Sequence, residues 1–168
     1  LGSHQGHERG LHGGVGRGAV DGGHHHPGAS RDLAHQLGAV ALIEAALDSP
    51  LVARSNALAA YAAVSFTPGR PLADALGDCC TRIHRDFVFD PDATDVETPL
   101  AEVMRMRRGV CQDFAHVLLG CLRSVGLPGR YVSGYLETRP PPGRPRLAGV
   151  DRTHAWVAVG LADGRWVG

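Results

Sequence analysis

Lysine is absent from this 168-residue chain: all seventeen basic side chains are arginine, and seventeen acidic ones balance them. Without an ε-amine the chain has no group for Schiff-base chemistry and none with which to crosslink itself. With no net charge, no field draws it to nucleic acid or to an anionic membrane surface, so neither is expected as a partner. Zinc-type cysteine spacing is absent too. Cys79, Cys80, Cys111 and Cys121 form no Cys-x-x-Cys pair, which argues against a structural zinc site, and no metal or cofactor is expected. No apolar run approaches the roughly 20 residues that span a bilayer, and no apolar signal-peptide core opens the chain. The expected location is therefore the cytoplasm, where adjacent Cys79 and Cys80 stay reduced and serve as small core side chains on different faces of a helix.

The chain has the size of one domain. Residues 1–31 hold Gly and His, with His24-His25-His26 at their centre, and almost nothing that could build a core. They are expected to be a disordered tail, and a tag or tail explains the histidines better than a metal site does. Residues 32–168 are the expected folded domain. Leu33, Leu37, Val40, Ala41, Ile43 and Leu47 recur at helical spacing. A second helix is expected after Ser55, ending near Thr67-Pro68-Gly69, and a third from Pro71 to about Phe87. Thr98 stands as an N-cap, with Pro99 at the first helical position and Glu102 placed for a capping box, for a short helix to about Arg105. Arg107-Arg108-Gly109 breaks it, and a new helix begins at Val110 or Cys111 with Phe114, Ala115, Leu118, Cys121 and Leu122 as its apolar stripe. Past Pro128 the period becomes alternating: a strand over 130–136, a Pro-rich loop over 140–145, a second strand over 154–159, and a third at Trp166-Val167 after a turn. Helices first and strands after imply an α+β fold.

Among the thiols, Cys111 stands apart because it falls in the first turn of a helix, where backbone amides lack helical partners and the positive end of the dipole favours thiolate over thiol. Gly109 suits the turn that presents it, and Arg107 and Arg108 would either add positive potential or form a solvated pair. Cys121, mid-helix on the apolar stripe, is core. A nucleophile needs a base. His116, five residues on, points to a different side of the helix. His35 and His84 read as surface histidines. His154 opens a strand, shares a face with Trp156, and leaves Ala155, Val157 and Val159 on the other face.

Three separated strings in this order carry a resemblance: Arg108 to His116 (RGVCQDFAH), Leu127 to Tyr135 (LPGRYVSGY) and Thr153 to Val157 (THAWV). Together they are similar to the bacterial transglutaminase-like superfamily, from about Ser49 to the end. The resemblance implies a papain-like core with helices packed on a C-terminal antiparallel sheet, and a Cys-His-Asp triad in which Cys111 is the nucleophile and His154 the base. It implies an amide-containing or peptide substrate, cut or transferred as an acyl group. The sequence departs from the family at Ala158, where a glutamate is usual. The family's acid would fall about two positions past Gly168, so the domain is expected to be truncated at its C-terminal end. Asp163, in a turn, and Asp151 are poor substitutes, and the family's β-rich upstream domain is not recognisable in residues 1–50. A domain that keeps the fold but only binds peptide or protein is the alternative.

Overall fold

The computed structural model describes residues 27–135 and 153–168. Helices α1 (Pro27–Ala45), α2 (Asn56–Ala63) and α3 (Leu72–Asp86) come first. Strand β1 (Val88–Phe89), helix α4 (Leu100–Met106), strand β2 (Arg108–Gly109) and helix α5 (Cys111–Ser124) follow, and then β3 (Gly129–Tyr135), β4 (Thr153–Gly160) and β5 (Trp166–Val167). The α+β order expected from the periodicity is the order found.

Helix α5 is the hub. Its Val117 and Cys121, one turn apart, enter a cluster with Leu58 and Tyr61 of α2, Cys79 and Ile83 of α3, and Val103 and Met104 of α4. Ala115, Leu119 and Leu122 enter a second cluster with Val157 and Val159 of β4. The i, i+4 and i, i+7 spacings place the two sets on different faces. Each such leucine or valine, removed from water, stabilises the fold by about 1.5–3 kcal/mol. Gly120 lets α2 come close, since a Cβ there would lie 2.8 Å from Leu58 Cδ1.

The larger sheet has the order β3-β4-β5 and is antiparallel. Its register runs from Gly129 opposite Val159 to Tyr135 opposite Thr153. Alternation then sends Ala155, Val157 and Val159 toward α5, and His154 and Trp156 to the other face.

Three expectations need correction. Helix α1 exists, but it starts at Pro27, inside the stretch assigned to the tail, and its apolar stripe is not core: Leu37, Val40, Ile43 and Leu47 are 50–63% exposed. Leu42 makes its packing contact instead, over Gly160. Helix α2 stops at Ala63, four residues short of the Thr67-Pro68-Gly69 break; Ser55 caps it, accepting from Leu58 N–H at 3.2 Å. Thr98 does not cap α4, because its Oγ1 donates to Asp95 Oδ1 at 2.9 Å and accepts from Asp95 N–H, closing the preceding loop. The break expected at Arg107-Arg108-Gly109 is found, and within it Arg108 and Gly109 form β2, which pairs parallel with β1. Residues 1–26 and the Pro-rich loop at 140–145 lie outside the described residues.

Arg123, near the end of α5, is 8% exposed and ties the segment after α1 to the hub. Its guanidinium donates to Ser49 Oγ at 2.7 Å, Val52 O at 2.9 Å and Ala45 O at 3.3 Å. Arg123→Ala is expected to lower unfolding free energy by about 2–4 kcal/mol, because it strands buried acceptors. Urea denaturation checks this, and a loss below about 0.5 kcal/mol, the range of neutral surface changes, would contradict it.

Candidate active site

Cys111 is the first residue of α5 and is half-buried. Val110, ahead of it, is extended and has no side-chain oxygen with which to cap the helix. Asp113 does the capping from the third helical position. Its Oδ2 accepts from Val110 N–H at 2.8 Å and from Thr94 Oγ1–H at 2.7 Å, and the residue is 3% exposed. Gly109 makes room: a Cβ there would lie 2.9 Å from Asp113 Cβ and Cγ, and nearer still to Oδ2. The Gly-Val-Cys-Gln-Asp string is thus one mechanical unit. Among the described residues, the N–H groups of Cys111, Gln112 and Asp113 meet no acceptor. They remain available, with the positive end of the helix, beside the sulfur.

The two arginines do not serve the thiol. Arg107, left-handed at φ 56°, lays its guanidinium over Phe87 at 4.7 Å and Tyr61 at 4.9 Å. Arg108 pairs with Asp90 at 2.9 Å.

His154 is the second residue of β4, half-buried and opposite Gly134, which the Trp156 ring covers. Helix α5 runs parallel to β4. Leu119 and Leu122 press on Gly129, the partner of Val159, at one end, while Cys111 shares a cavity wall with Ala155, Trp156 and Val157 at the other. Cys111 and His154 therefore lie at the same end of the helix-sheet pair, His154 one residue beyond that wall. No hydrogen bond joins their side chains among those of the described residues, and alternation directs the imidazole to the Trp156 face.

Tyr131 on β3, opposite Val157, points to the α5 side. Burial, and next the nearby Cys111 sulfur, push its hydroxyl above the usual tyrosine range. His116 packs on the Tyr131 ring at 5.2 Å, and burial lowers its pKa. Neither Tyr131 nor Asp113 stood out in the sequence as a neighbour of the thiol. Asp113, three residues after the N-cap, carried half of a capping-box signal, hidden because valine is the cap; Tyr131 carried none beyond strand alternation.

Of the remaining cysteines, Cys79 and Cys121 are fully buried, and the hydrogen bond with Cys79 together with burial raises the Cys121 thiol. Cys80 is not core as expected: it is exposed and lines the same cavity as Cys111. His84 is exposed and stands at the rim of that cavity; His35 is exposed on α1. Asp163 is bonded to Arg165 Nε at 2.7 Å in the turn between β4 and β5, the hairpin part expected of it. Asp151 lies outside the described residues. Among the described residues no group of three His, Cys, Asp or Glu side chains could hold a metal.

The family model of the transglutaminase-like superfamily matches residues 60–168, from within α2 through α5 to the end of the sheet. The chain belongs to this superfamily. Uncharacterized proteins of Mycobacterium tuberculosis and Mycobacterium bovis are 50% identical to it over 105 residues, covering 62% of this chain and 33% of theirs. One from Mycobacterium leprae is 47% identical over 79 residues, covering 45% of this chain and 26% of its own. The chain thus spans about a third of the length of these relatives. Among solved structures, a provisionally assigned cysteine protease from Cytophaga hutchinsonii superposes with a TM-score of 0.61 at 21% identity, over 75% of this chain and 40% of that one. The periplasmic domain of TgpA from Pseudomonas aeruginosa superposes with a TM-score of 0.50 at 24% identity, over 73% of this chain and 45% of that one. These likenesses concern the fold: this transglutaminase-like domain has the papain-like arrangement of helices on an antiparallel sheet.

Two outcomes follow from the local chemistry. Asp113→Ala removes both hydrogen bonds at the start of α5 and is expected to cost about 2 kcal/mol in chemical denaturation. His116 has a folded pKa below its unfolded value, so the unfolded chain binds the extra proton first. Its contribution to stability is intact above the unfolded value near 6.5 and is lost as pH falls through the lower, folded value. Melting temperatures between about pH 7 and pH 5 should therefore fall less steeply in His116→Gln than in the parent; parallel curves would refute this.

Proposed function

We propose that this domain is a thiol enzyme that transfers acyl groups from amides, with Cys111 as nucleophile and His154 as its base. The observation that carries the reading is the start of α5. A cysteine occupies the first helical position, its neighbouring amides are left without acceptors, and the capping that a side chain ahead of the helix would normally provide comes instead from Asp113 behind it. In the proposed step Sγ attacks the amide carbon, a C–S bond forms, and the carbonyl electrons pass to oxygen, where the Cys111 N–H stabilises them. The C–N bond then breaks, and the proton taken by His154 leaves with the amine. Water hydrolyses the thioester, or a second amine accepts the acyl group. The substrate is an amide-bearing small molecule or peptide.

The second reading, a domain that keeps the fold and binds peptide without turning it over, draws on His154 and Trp156 sharing the face away from α5 and on alanine at position 158. One experiment separates the two. On the full-length protein, iodoacetamide alkylation of Cys111, followed by peptide mass spectrometry, is expected to slow at least tenfold at pH 7 in His154→Asn. Hydrolysis of a peptide amide should fall by about a thousandfold or more in Cys111→Ala, as for other members of catalytic triads. Alkylation indifferent to His154, with no amide turnover, would leave the binding module as the function.

A further inference from the structure

The first turn of α5 stands between two cavities. One, of about 540 Å³, mixes Leu51, Val52, Val96 and Leu119 with Gln112, His116 and Arg123. The other, of about 450 Å³, contains Cys111 in its wall, and its volume lies within the range of small-ligand sites. Its sides come from three elements: Cys80 and Ile83 of α3, Phe114 and Leu118 of α5, and Ala155 and Val157 of β4. None of its described lining residues is Arg, Asp or Glu. At its edge Phe89 is 64% exposed, apolar surface that gains by being covered. A charged group entering this space would lose hydration against mostly apolar walls, His84 at the rim being the only described lining residue with a basic side chain.

We infer that this cavity receives the acyl donor's own side chain: the amide that Cys111 attacks carries a large, uncharged apolar group, aliphatic or aromatic, beside its carbonyl. This rests on the thiol reading of Cys111 and adds the substrate class to it. Because the sulfur is part of the cavity wall, a substrate held by such a group brings its carbonyl to Sγ without a separate recognition element, and position replaces part of the entropy cost of the encounter. Specificity of this kind discriminates by about ten- to two-hundredfold, the usual worth of a hydrophobic pocket.

The test uses chloromethyl ketones of phenylalanine, leucine, alanine and aspartate on the full-length protein in a Cys80→Ser background, which removes the exposed competing thiol. Alkylation forms the bond from Cys111 Sγ to the methylene carbon as chloride leaves, so mass spectrometry of the Cys111 peptide reads it without any turnover. Each rate is divided by that of iodoacetamide on the same variant. The phenylalanyl and leucyl probes are expected to react about tenfold faster than the alanyl probe and about a hundredfold faster than the aspartyl probe. Cys80→Trp, which fills the cavity from α3, and His84→Arg, which sets a guanidinium at its rim to pair with the aspartyl probe, should each reduce the phenylalanyl-to-aspartyl ratio at least tenfold. Equal normalised rates for all four probes would overturn the assignment, as would a preference that survives in both variants, the result expected if the chain past Gly168 fills this space. Selective labelling without hydrolysis of any peptide amide upholds the apolar cavity and removes the enzymatic reading; hydrolysis without selectivity does the reverse.

Discussion

The Asp113 carboxylate, folded back over Gly109 to hold Val110 N–H and the Thr94 hydroxyl, is the constraint on which the rest of this domain turns. A helix normally begins with a side-chain oxygen ahead of it, and that oxygen occupies the amides of the first turn. Here the residue ahead is valine, and satisfaction comes from behind, through a buried acid that needs a glycine under it. The helix start is held while, among the described residues, its leading amides stay uncommitted. Cys111 then sits at an electropositive corner. Thr94 joins the loop after β1 to the same carboxylate, so one side chain ties that loop to the helix start.

From that corner α5 runs through the middle of the molecule and organises both layers. Its Val117 face closes the helical cluster and its Leu119 face carries the sheet. Burial on two sides explains why Gly120 is needed where α2 crosses, despite the roughly 1 kcal/mol that glycine costs within a helix. It also explains the position of the cavity. The sheet packs under the C-terminal half of α5, and at the N-terminal end the space between α3, α5 and β4 remains open. Chemistry is placed where packing ends.

Much of this was legible in the linear pattern. Helices before alternating strands, the start of α5 at Cys111, the edge and face of β4, and the turn at Asp163 all follow from local rules with short reach along the chain. The failures also have physical causes. Helical spacing in α1 was read correctly as a helix, but spacing does not say what packs against it: Leu37, Val40 and Ile43 face outward while Leu42 makes the contact. Thr98 had a better partner in Asp95 than in the helix it precedes, because a loop can close on itself before a helix forms. Strands of two residues such as β1 and β2 have no period to detect. Cys80 looked like core because it adjoins Cys79, yet neighbours on a helix diverge by about a quarter turn, and only one of them can face inward.

What the sequence determined by itself rests on residues within about four of one another: which segments are helix or strand, which thiol opens a helix, which side of β4 is apolar. Three strings in order also carried the family and its fold. What only the tertiary structure decided is which distant groups share a space. Asp113 became a cap because Thr94 and Gly109 were folded onto it, Tyr131 became a neighbour of Cys111 through strand pairing, and the arginines before the thiol were drawn to Phe87, Tyr61 and Asp90 instead. Such contacts depend on how elements dock, and docking is settled by the burial of whole faces, a sum over the chain that no single stretch of it contains.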